Sequence, residues 1–481
     1  MIKNTLALAL AAAATLAAAD LKIPMERYTL KNGMRIVLSA DNSAPVVTVY
    51  VIFGVGARSE EKGRTGFAHL FEHMMFQGSE NAPKGVLDKL VEGNGGMLNA
   101  SIHPDFTDYL EVLPSNKLPV ALWLEADRMR GLKITKENLD NQREAVKQER
   151  RLSMDNQPYA TAIVDNWPML AYRNWGNSHS LIGSFEDLNA ATVDDVARFF
   201  KTFYAPNNAV MVVAGDIQAG EAKKWIETYF ADIPPQPQPK HPDLAEPPQT
   251  EARREVFKDK FAKVPAVVLG YTGTPARRSP DYYAIIMIDI ILTGGESSRL
   301  YQGLVKGRQS AIQVEANLGW PFAEPSDYRE PAVYAINVVH KPNFTGAQLV
   351  GQLEEELGKL VKEGVPPAEL ERARTFLRAQ RVGDMQSSYR RARLLAQYEL
   401  FDSDPGLINT EMERLFAVTP AQVQAAAKKL FAPQRKNVLE IVPDPQTQAK
   451  PPAPPKLSST CEPRWGRPSA CQWLFQQALR T

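Results

Sequence analysis

The sequence contains 481 residues, of which 44% are hydrophobic and 23% are charged. A chain of this length and composition can bury a substantial core and form two or more globular domains. The 56 lysines and arginines are balanced by 55 acidic residues, which gives a formal net charge of +1. Because the two signs are also mixed along the chain, the composition argues against a nucleic-acid-binding protein and against a polybasic membrane anchor.

The first nineteen residues are organised like a secretory signal peptide. Lys3 precedes an uncharged stretch of alanine and leucine, which ends in three alanines before Asp20. This pattern predicts cleavage near Ala19 and export to the periplasm or the exterior. A membrane anchor is less favoured, because the stretch is short and rich in alanine. No later segment has the roughly 18 apolar residues of a membrane span, so we expect no membrane partner.

An internal repeat indicates a duplicated α+β fold. Residues 192–216 resemble residues 419–444 at an offset of 227 positions, so that Thr192 matches Thr419 and an Ala-Pro pair follows in both. Each copy has an amphipathic helical stretch, the Ala-Pro break and then a buried strand. The sequence therefore predicts two homologous α/β-sandwich domains that arose from an internal duplication.

Proline-rich segments mark the predicted boundaries between the parts of the chain. The predicted parts are a signal peptide at 1–19, an N-terminal domain at 20–231, a linker at 232–250, a homologous C-terminal domain at 251–445 and a proline-rich tail at 446–481. The tail carries both cysteines, Cys461 and Cys471. In an oxidising compartment these two could close a small loop, but the sequence leaves their pairing open.

The segment HLFEHMMF, residues 69–76, places two histidines four positions apart. On a helix, His69, Glu72 and His73 share one face, so the two imidazoles are spaced to bind one zinc ion. Glu72 is then placed to act as a general base toward water rather than as a ligand. The alternative is a solvated helix face. We favour the metal site because only six histidines occur in the chain and these two are flanked by apolar residues.

A catalytic zinc site needs a third protein ligand, which we expect on another helix. In the helical stretch 137–153, Glu149 lies on the same side as the apolar stripe formed by Leu139, Val146 and, less centrally, Leu152. A carboxylate turned toward the interior needs a cation or hydrogen-bond donors. Gln142 lies two turns earlier on that face, where it could hydrogen-bond a ligand. An ordinary polar residue at a helix margin is the alternative for Gln142.

These residues resemble the insulinase/pitrilysin family of zinc peptidases. The resemblance rests on the H-x-x-E-H helix, on Glu149 lying 76 residues after His73, on segment 95–114 and on the segment APNNAVMVVAGD. It covers roughly residues 25 to 445 and is strongest to the two-domain bacterial branch, which is similar to the beta subunit of the mitochondrial processing peptidase. The resemblance implies His69, His73 and Glu149 as zinc ligands, Glu72 as general base, and duplicated domains that pair with a second chain into a clamshell chamber.

In that branch the segment GGMLNAS behaves as an edge strand, to which a peptide substrate adds by main-chain pairing. The resemblance carries Asn99 and Ala100 over as substrate-binding positions. A simple hairpin strand is the alternative, and one strand can serve both ends. The four remaining histidines lack a second ligand at chelating spacing, so we expect them to be surface or structural residues: His103, His179, His241 and His340.

The second half departs from the family pattern. It has no histidine pair, and the positions where self-sufficient relatives carry an arginine and a tyrosine are Val305 and Ile312. Neither side chain can donate a hydrogen bond to the oxyanion. The sequence therefore suggests the zinc-bearing subunit of a heterodimer, whose homologous zinc-less partner supplies the arginine and tyrosine. The alternative is a homodimer in which a residue from a shifted register does so: Tyr301, Lys306 or Arg308.

Taken together, these features predict an exported zinc-dependent endopeptidase that hydrolyses unstructured oligopeptides. Two other functions stay open: a non-catalytic scaffold subunit with the same fold, and a processing peptidase for one dedicated precursor. The intact metal motif favours an enzyme over a scaffold.

Overall fold

A computed structural model describes residues 22–327, 329 and 331–445. The predicted signal peptide, its cleavage site, the tail and both cysteines lie outside these residues. Among the residues so described, no helix combines the length and the hydropathy that a membrane span requires.

The first half builds a mixed sheet with helices along its faces. Its strands are β1 (Glu26–Thr29), β2 (Arg35–Ala40), β3 (Val46–Phe53), β4 (Met97–Ile102), β5 (Thr107–Pro114) and β6 (Ala209–Gly215). Its α-helices are α1 (Phe67–Met74), α2 (Val86–Glu92), α3 (Leu118–Arg130), α4 (Lys136–Arg150), α5 (Trp167–Ala171), α6 (Trp175–Ser178), α7 (Phe185–Ala190), α8 (Val193–Phe203) and α9 (Ala219–Phe230).

The strand order of the first sheet places β6 inside and β4 at an edge. The order is β1-β2-β6-β3-β5-β4, with β2 and β6 parallel and the other pairs antiparallel. Strand β6 reads AVMVVAG and is buried along its whole length, as expected of a central strand covered on both faces. Strand β4 has β5 on one side and no strand of the described residues on the other.

The second half repeats this plan with a smaller sheet. Its strands are β7 (Arg253–Asp259), β8 (Ala266–Tyr271), β9 (Ala311–Leu318), β10 (Tyr334–His340) and β11 (Lys436–Pro443), in the order β7-β11-β8-β10-β9. Its α-helices are α10 (Pro280–Thr293), α11 (Gly346–Glu363), α12 (Pro367–Gln386), α13 (Ser388–Asp402), α14 (Leu407–Phe416) and α15 (Pro420–Leu430).

The predicted repeat is visible in the local structure. Helix α8 and helix α15 are each followed by a short 3-10 turn and then by an inner strand, β6 or β11. Both helices begin with the same capping box, in which Thr192 pairs with Asp195 and Thr419 pairs with Gln422. In each helix the threonine hydroxyl accepts a hydrogen bond from the third backbone N–H, so the same residue type caps the start of the helix in both copies. The predicted duplicated fold class is confirmed.

Each sheet is covered on one face by a helix from the other half of the chain. Along β3, Val49 and Val51 point into the core that contains α1, whereas Tyr50 and Ile52 point to the opposite face. There they pack in one cluster with Leu395 of α13, which belongs to the second half. The alternation follows from the two-residue period of a strand, since apolar residues on both faces require cover on both faces.

The second sheet receives the reciprocal helix. Trp167 and Leu170 of α5, from the first half, pack in one cluster with Ala266 and Val268 of β8. The two halves therefore share their cores, so the boundaries predicted from the proline-rich segments are boundaries along the chain rather than between cores. The predicted domain limits themselves stay a prediction.

One detail of the helix around Glu149 differs from the sequence expectation. Helix α4 ends at Arg150 and continues as a π-helical turn over Arg151–Asp155. A π-helical turn holds more residues than an α-helical turn and rotates the side chains that follow it. Leu152 in this turn is 42% exposed, so its assignment to the apolar stripe of Leu139 and Val146 was wrong. At 100° per residue it lies about 120° from Val146, at the margin of the stripe.

Candidate metal centre

The histidine pair lies on α1, which is packed into the first core on its apolar side. Leu70, Phe71 and Met74 are buried there. On the other face of the helix, His69 and His73 point toward α4. The centres of their two rings lie 4.9 Å apart in an edge-to-face arrangement. The two histidines of the motif thus meet a second helix rather than solvent.

Glu149, in the last turn of α4, completes a cluster of three ligand-type side chains. One ligand atom of each of His69, His73 and Glu149 lies within 4.8 Å of the other two. The glutamate Oε2 is 3.6 Å from Nε2 of His69 and 3.3 Å from Nε2 of His73. Two ligand atoms about 2.1 Å from one tetrahedral zinc ion are separated by about 3.4 Å, so these separations fit zinc.

The surroundings of His69 also fit a metal ligand. The residue is 1% exposed, and neither ring nitrogen has a hydrogen-bond partner among the described residues. Burial lowers the pKa of His69 to about 4, so its imidazole is neutral at physiological pH, as a ligand must be. A buried imidazole without partners is unfavourable unless a cation satisfies it.

Gln142 contacts the second histidine. Its Oε1 lies 3.3 Å from Nδ1 of His73, so a proton on Nδ1 leaves Nε2 free to face Glu149. Burial acts to lower the pKa of His73, but the hydrogen bond and charge interaction with Glu149 outweigh burial and raise this pKa overall. The structure therefore places Gln142 where it can orient a ligand.

Glu72 lies beside the cluster without joining it. It is 5% exposed, and its Oε2 has no hydrogen-bond partner among the described residues. Burial raises the pKa of Glu72 to about 8, although the backbone N–H of Ile102 in β4 counteracts this in part. A carboxyl group with a raised pKa that lies between a metal cluster and an edge strand can both take and return a proton near neutral pH.

The two predicted substrate positions lie in the middle of the edge strand β4. Asn99 pairs with Leu110 and Ala100 pairs with Tyr109 of β5. Ala100 is 3% exposed and its methyl group packs into the first core, so only its backbone is offered at the edge. Asn99 points the other way and is partly exposed. Whether a peptide binds there stays a prediction.

The second half, as far as residue 445, contains no comparable cluster among its described residues. Within the described ranges, the three residues on α1 and α4 form the one group of histidines, cysteines and acids that are close enough to share an ion. Val305 packs against the second core, whereas Ile312 at the edge strand β9 is 51% exposed. Arg308 forms ion pairs with Glu355 and Glu356.

Lys306 and Tyr301, the other two alternatives, contact each other. The Lys306 ammonium group lies 5.5 Å from the centre of the Tyr301 ring.

Three of the remaining histidines contact polar groups of the protein: His103, His179 and His340. His103 is buried with Nδ1 3.5 Å from Oδ2 of Asp327, and His340 is buried with Nδ1 3.1 Å from the carbonyl oxygen of Lys341. His241 is exposed. His179 contacts Glu60 near the start of α1. Sequence reasoning missed this pair, because the two residues are 119 positions apart and neither belongs to a spaced motif.

The chain has two similar α/β halves, and the first carries an H-x-x-E-H helix that faces a glutamate. This is the arrangement of two-domain proteins with the zinc-metallopeptidase fold. The chain belongs to the insulinase family, peptidase family M16. The family model described as "Insulinase (Peptidase family M16)" matches residues 35–184, and the one described as "Peptidase M16 inactive domain" matches residues 190–377.

Similar proteins and a similar solved structure support the same family. The chain is 28% identical over 401 residues to the zinc protease PqqE of Helicobacter pylori, covering 81% of this chain and 86% of that protein. It is 24% identical to the mitochondrial-processing peptidase subunit beta of Lentinula edodes, covering 74% and 76%. A solved structure of a protease from Helicobacter pylori matches with a TM-score of 0.81 at 26% identity, covering 88% of this chain and 100% of that one.

Proposed function

We propose that this chain is an exported, zinc-dependent endopeptidase that hydrolyses unstructured oligopeptides. The observation that carries the proposal is the cluster of His69, His73 and Glu149, whose ligand atoms lie within 4.8 Å of one another beside the buried Glu72. PqqE of Helicobacter pylori, a relative that matches 81% of this chain, is named a zinc protease. Export rests on the signal-peptide pattern of the first nineteen residues.

In this proposal the three residues of the cluster hold the ion and Glu72 moves the proton. A bound zinc ion would polarise the scissile carbonyl and make water more acidic. Glu72 accepts the proton of the attacking water and delivers it to the leaving amine, which suits a carboxyl group whose pKa burial raises to about 8. Gln142 keeps the His73 ring in the orientation that presents Nε2.

The substrate is an extended peptide that pairs with the free edge of β4. Ile102 of this strand directs its backbone N–H toward Glu72, so a peptide along β4 would pass the general base. Main-chain pairing gives affinity without a strict sequence requirement. An enclosed chamber around this strand would admit unstructured oligopeptides and exclude folded proteins.

We further propose that the active form is a heterodimer in which a homologous, zinc-less partner encloses the chamber and supplies the missing arginine and tyrosine. Val305 and Ile312 cannot stabilise an oxyanion. Arg308 is engaged by two glutamates, which supports the heterodimer over the homodimer alternative. The beta subunit of mitochondrial-processing peptidase, to which the chain is similar, is by its name one subunit of a larger enzyme.

The substitution Glu72→Gln tests the proposed role of the general base. It preserves size and leaves the three ligand residues intact, so we expect zinc to stay bound while cleavage of a mixed unstructured peptide pool falls by at least about 100-fold. Mass spectrometry of the pool measures the cleavage, with Glu137→Gln at an exposed position of α4 as the matched control. Undiminished cleavage by Glu72→Gln would disprove the assigned role.

The peptide-cleavage assay also separates the proposed peptidase from a scaffold subunit. A non-catalytic subunit would bind a partner chain but cleave nothing in its presence or absence, whereas the heterodimer gains chelator-sensitive cleavage when the partner is added. A peptidase for one dedicated precursor would leave the mixed pool intact and cleave that precursor alone.

A further inference from the structure

The N-terminus of α1 is capped by a residue from outside the helix. The residue preceding the helix is Gly66, which has no side chain to cap it, and the first turn contains no acidic residue. The leading backbone N–H groups of a helix need acceptors. Glu60 supplies them: its Oε2 accepts from the N–H of Gly66 at 2.9 Å and its Oε1 accepts from the N–H of Ala68 at 2.8 Å.

The carboxylate of Glu60 is fully buried and is paired with His179. Its side chain is 0% exposed, and Nε2 of His179 lies 3.2 Å from Oε2. The same nitrogen lies 2.9 Å from the carbonyl oxygen of Ala57, and Nδ1 lies 3.0 Å from the carbonyl oxygen of Trp175. Because both ring nitrogens face acceptors, the geometry favours the form of His179 that carries a proton on each nitrogen and is a cation.

One further contact, with the ring of Trp175, also favours the charged form of His179. Its ring stacks on Trp175 with the ring centres 4.2 Å apart and the planes 11° apart, which suits a cation against an aromatic face. Burial acts to lower the pKa of His179, but the hydrogen bond and charge interaction with Glu60 raise this pKa overall. Burial likewise raises the pKa of Glu60, and the contacts with His179 and the two backbone N–H groups act against that rise.

The loop that follows His179 contacts both helices of the metal centre. Gly66 and Gly183 pack so closely that a Cβ added to Gly66 would lie 2.4 Å from the carbonyl oxygen of Ile182. At the other end, Arg150, directly after Glu149, donates to the carbonyl oxygen of Gly183 at 2.5 Å. This one loop thus joins the start of α1 to the end of α4, the two helices that carry the three ligand-type residues.

We infer that Glu60 and His179 are positioning residues for the metal centre. The buried pair fixes the first turn of α1 and the adjoining loop, and so sets the separation between the histidines of α1 and Glu149. The inference rests on the proposed function, because it names the residues that hold the proposed zinc site in shape. Losing residues that orient metal ligands typically lowers metal affinity by about 10- to 100-fold.

The test compares His179→Gln with His340→Gln. Both replace a histidine whose ring nitrogen contacts a backbone carbonyl, but His340 lies at the end of β10 in the second half. Zinc affinity is measured by competition with a chromogenic chelator. We expect about 10- to 100-fold weaker zinc binding for His179→Gln and less than about 2-fold for His340→Gln. In the active assembly, kcat should fall with KM nearly unchanged.

A double-mutant cycle separates the pair from two independent structural defects. If Glu60 and His179 act together, Glu60→Gln combined with His179→Gln weakens zinc binding no more than the stronger single variant. Fully multiplicative losses would overturn the pairing. Should the variants fail to fold, hydrogen exchange of the wild-type chain replaces them: the amides of residues 66–70 should stay protected without zinc, and rapid exchange there would overturn the inference.

These outcomes distinguish the inference from the proposed function. A wild-type chain that binds no zinc contradicts the proposed function, and the exchange experiment then still decides whether the pair fixes α1. A wild-type chain that binds zinc while His179→Gln binds it equally well overturns the positioning role and leaves the metal centre intact.

Discussion

The reciprocal packing of helices makes a specific prediction for Trp167. This residue of α5 belongs to the first half of the chain but is 1% exposed beneath the second sheet. Its ring lies against β8 so closely that a Cβ added to Gly270 would be 2.4 Å from the ring atoms Cζ2 and Cη2. Trp167→Ala would therefore leave a large cavity under the sheet of the other half.

The size of the effect follows from the buried ring. A tryptophan buries on the order of 200 Å², which corresponds to about 5 kcal/mol at roughly 25 cal/mol per Å². Measured losses for comparable substitutions are about 3–5 kcal/mol. We expect Trp167→Ala to lower the free energy of unfolding by that amount. Met169→Ala on the same helix is the control, since Met169 is 53% exposed and should change stability by less than about 0.5 kcal/mol.

Urea unfolding followed by far-ultraviolet circular dichroism measures both variants. Because the two halves share their cores, the wild-type chain should unfold in one transition and Trp167→Ala should shift that whole transition. A loss below about 1 kcal/mol, or a curve with two phases of which only one moves, would refute the reasoning about shared cores.

Two further substitutions test the metal centre and a buried carboxyl group. Gln142→Ala should weaken zinc binding by about 10-fold or more, because the His73 ring loses its hydrogen-bond partner. Asn141→Ala, at an exposed neighbouring position, is the control and should leave zinc affinity unchanged. Equal affinities of the two variants in a chelator competition would contradict the role of Gln142. Burial raises the pKa of Asp289 to about 7, above its unfolded value of about 3.9, so the native state holds a proton that the unfolded state has lost in this window. As the pH rises from 5 to 8, the free energy of unfolding of the wild-type chain should fall relative to that of Asp289→Asn, by on the order of 2 kcal/mol. Chemical unfolding of both chains at each pH measures this difference. A difference that does not change with pH would contradict the raised pKa of Asp289.

Local patterns in the sequence predict most of the elements that build the site. The H-x-x-E-H spacing depends only on helical periodicity, and the structure has α1 over Phe67–Met74. The apolar stripe of α4 likewise orients Glu149 toward the interior, which brings it to the histidines. The repeat of helix, Ala-Pro break and strand predicts the duplicated fold for the same reason, since each element is encoded within a few residues.

Features that depend on distant parts of the chain could not be predicted in this way. Apolar residues on both faces of β3 indicate that both faces are covered, but they do not say that α13 from the other half covers one of them. The pair of Glu60 and His179 gives no spacing signal, because tertiary packing brings it together. The π-helical turn over Arg151–Asp155 also gives no spacing signal, and Leu152 within it is exposed.

The zinc content of the purified mature chain, measured by inductively coupled plasma mass spectrometry, tests the central claim most directly. The account predicts one zinc ion per wild-type chain and almost none in His73→Ala, because two remaining side chains are too few to hold a catalytic zinc ion. A wild-type chain without zinc, or a His73→Ala chain that keeps a full zinc ion, would contradict the assignment of this cluster as the metal centre of a peptidase.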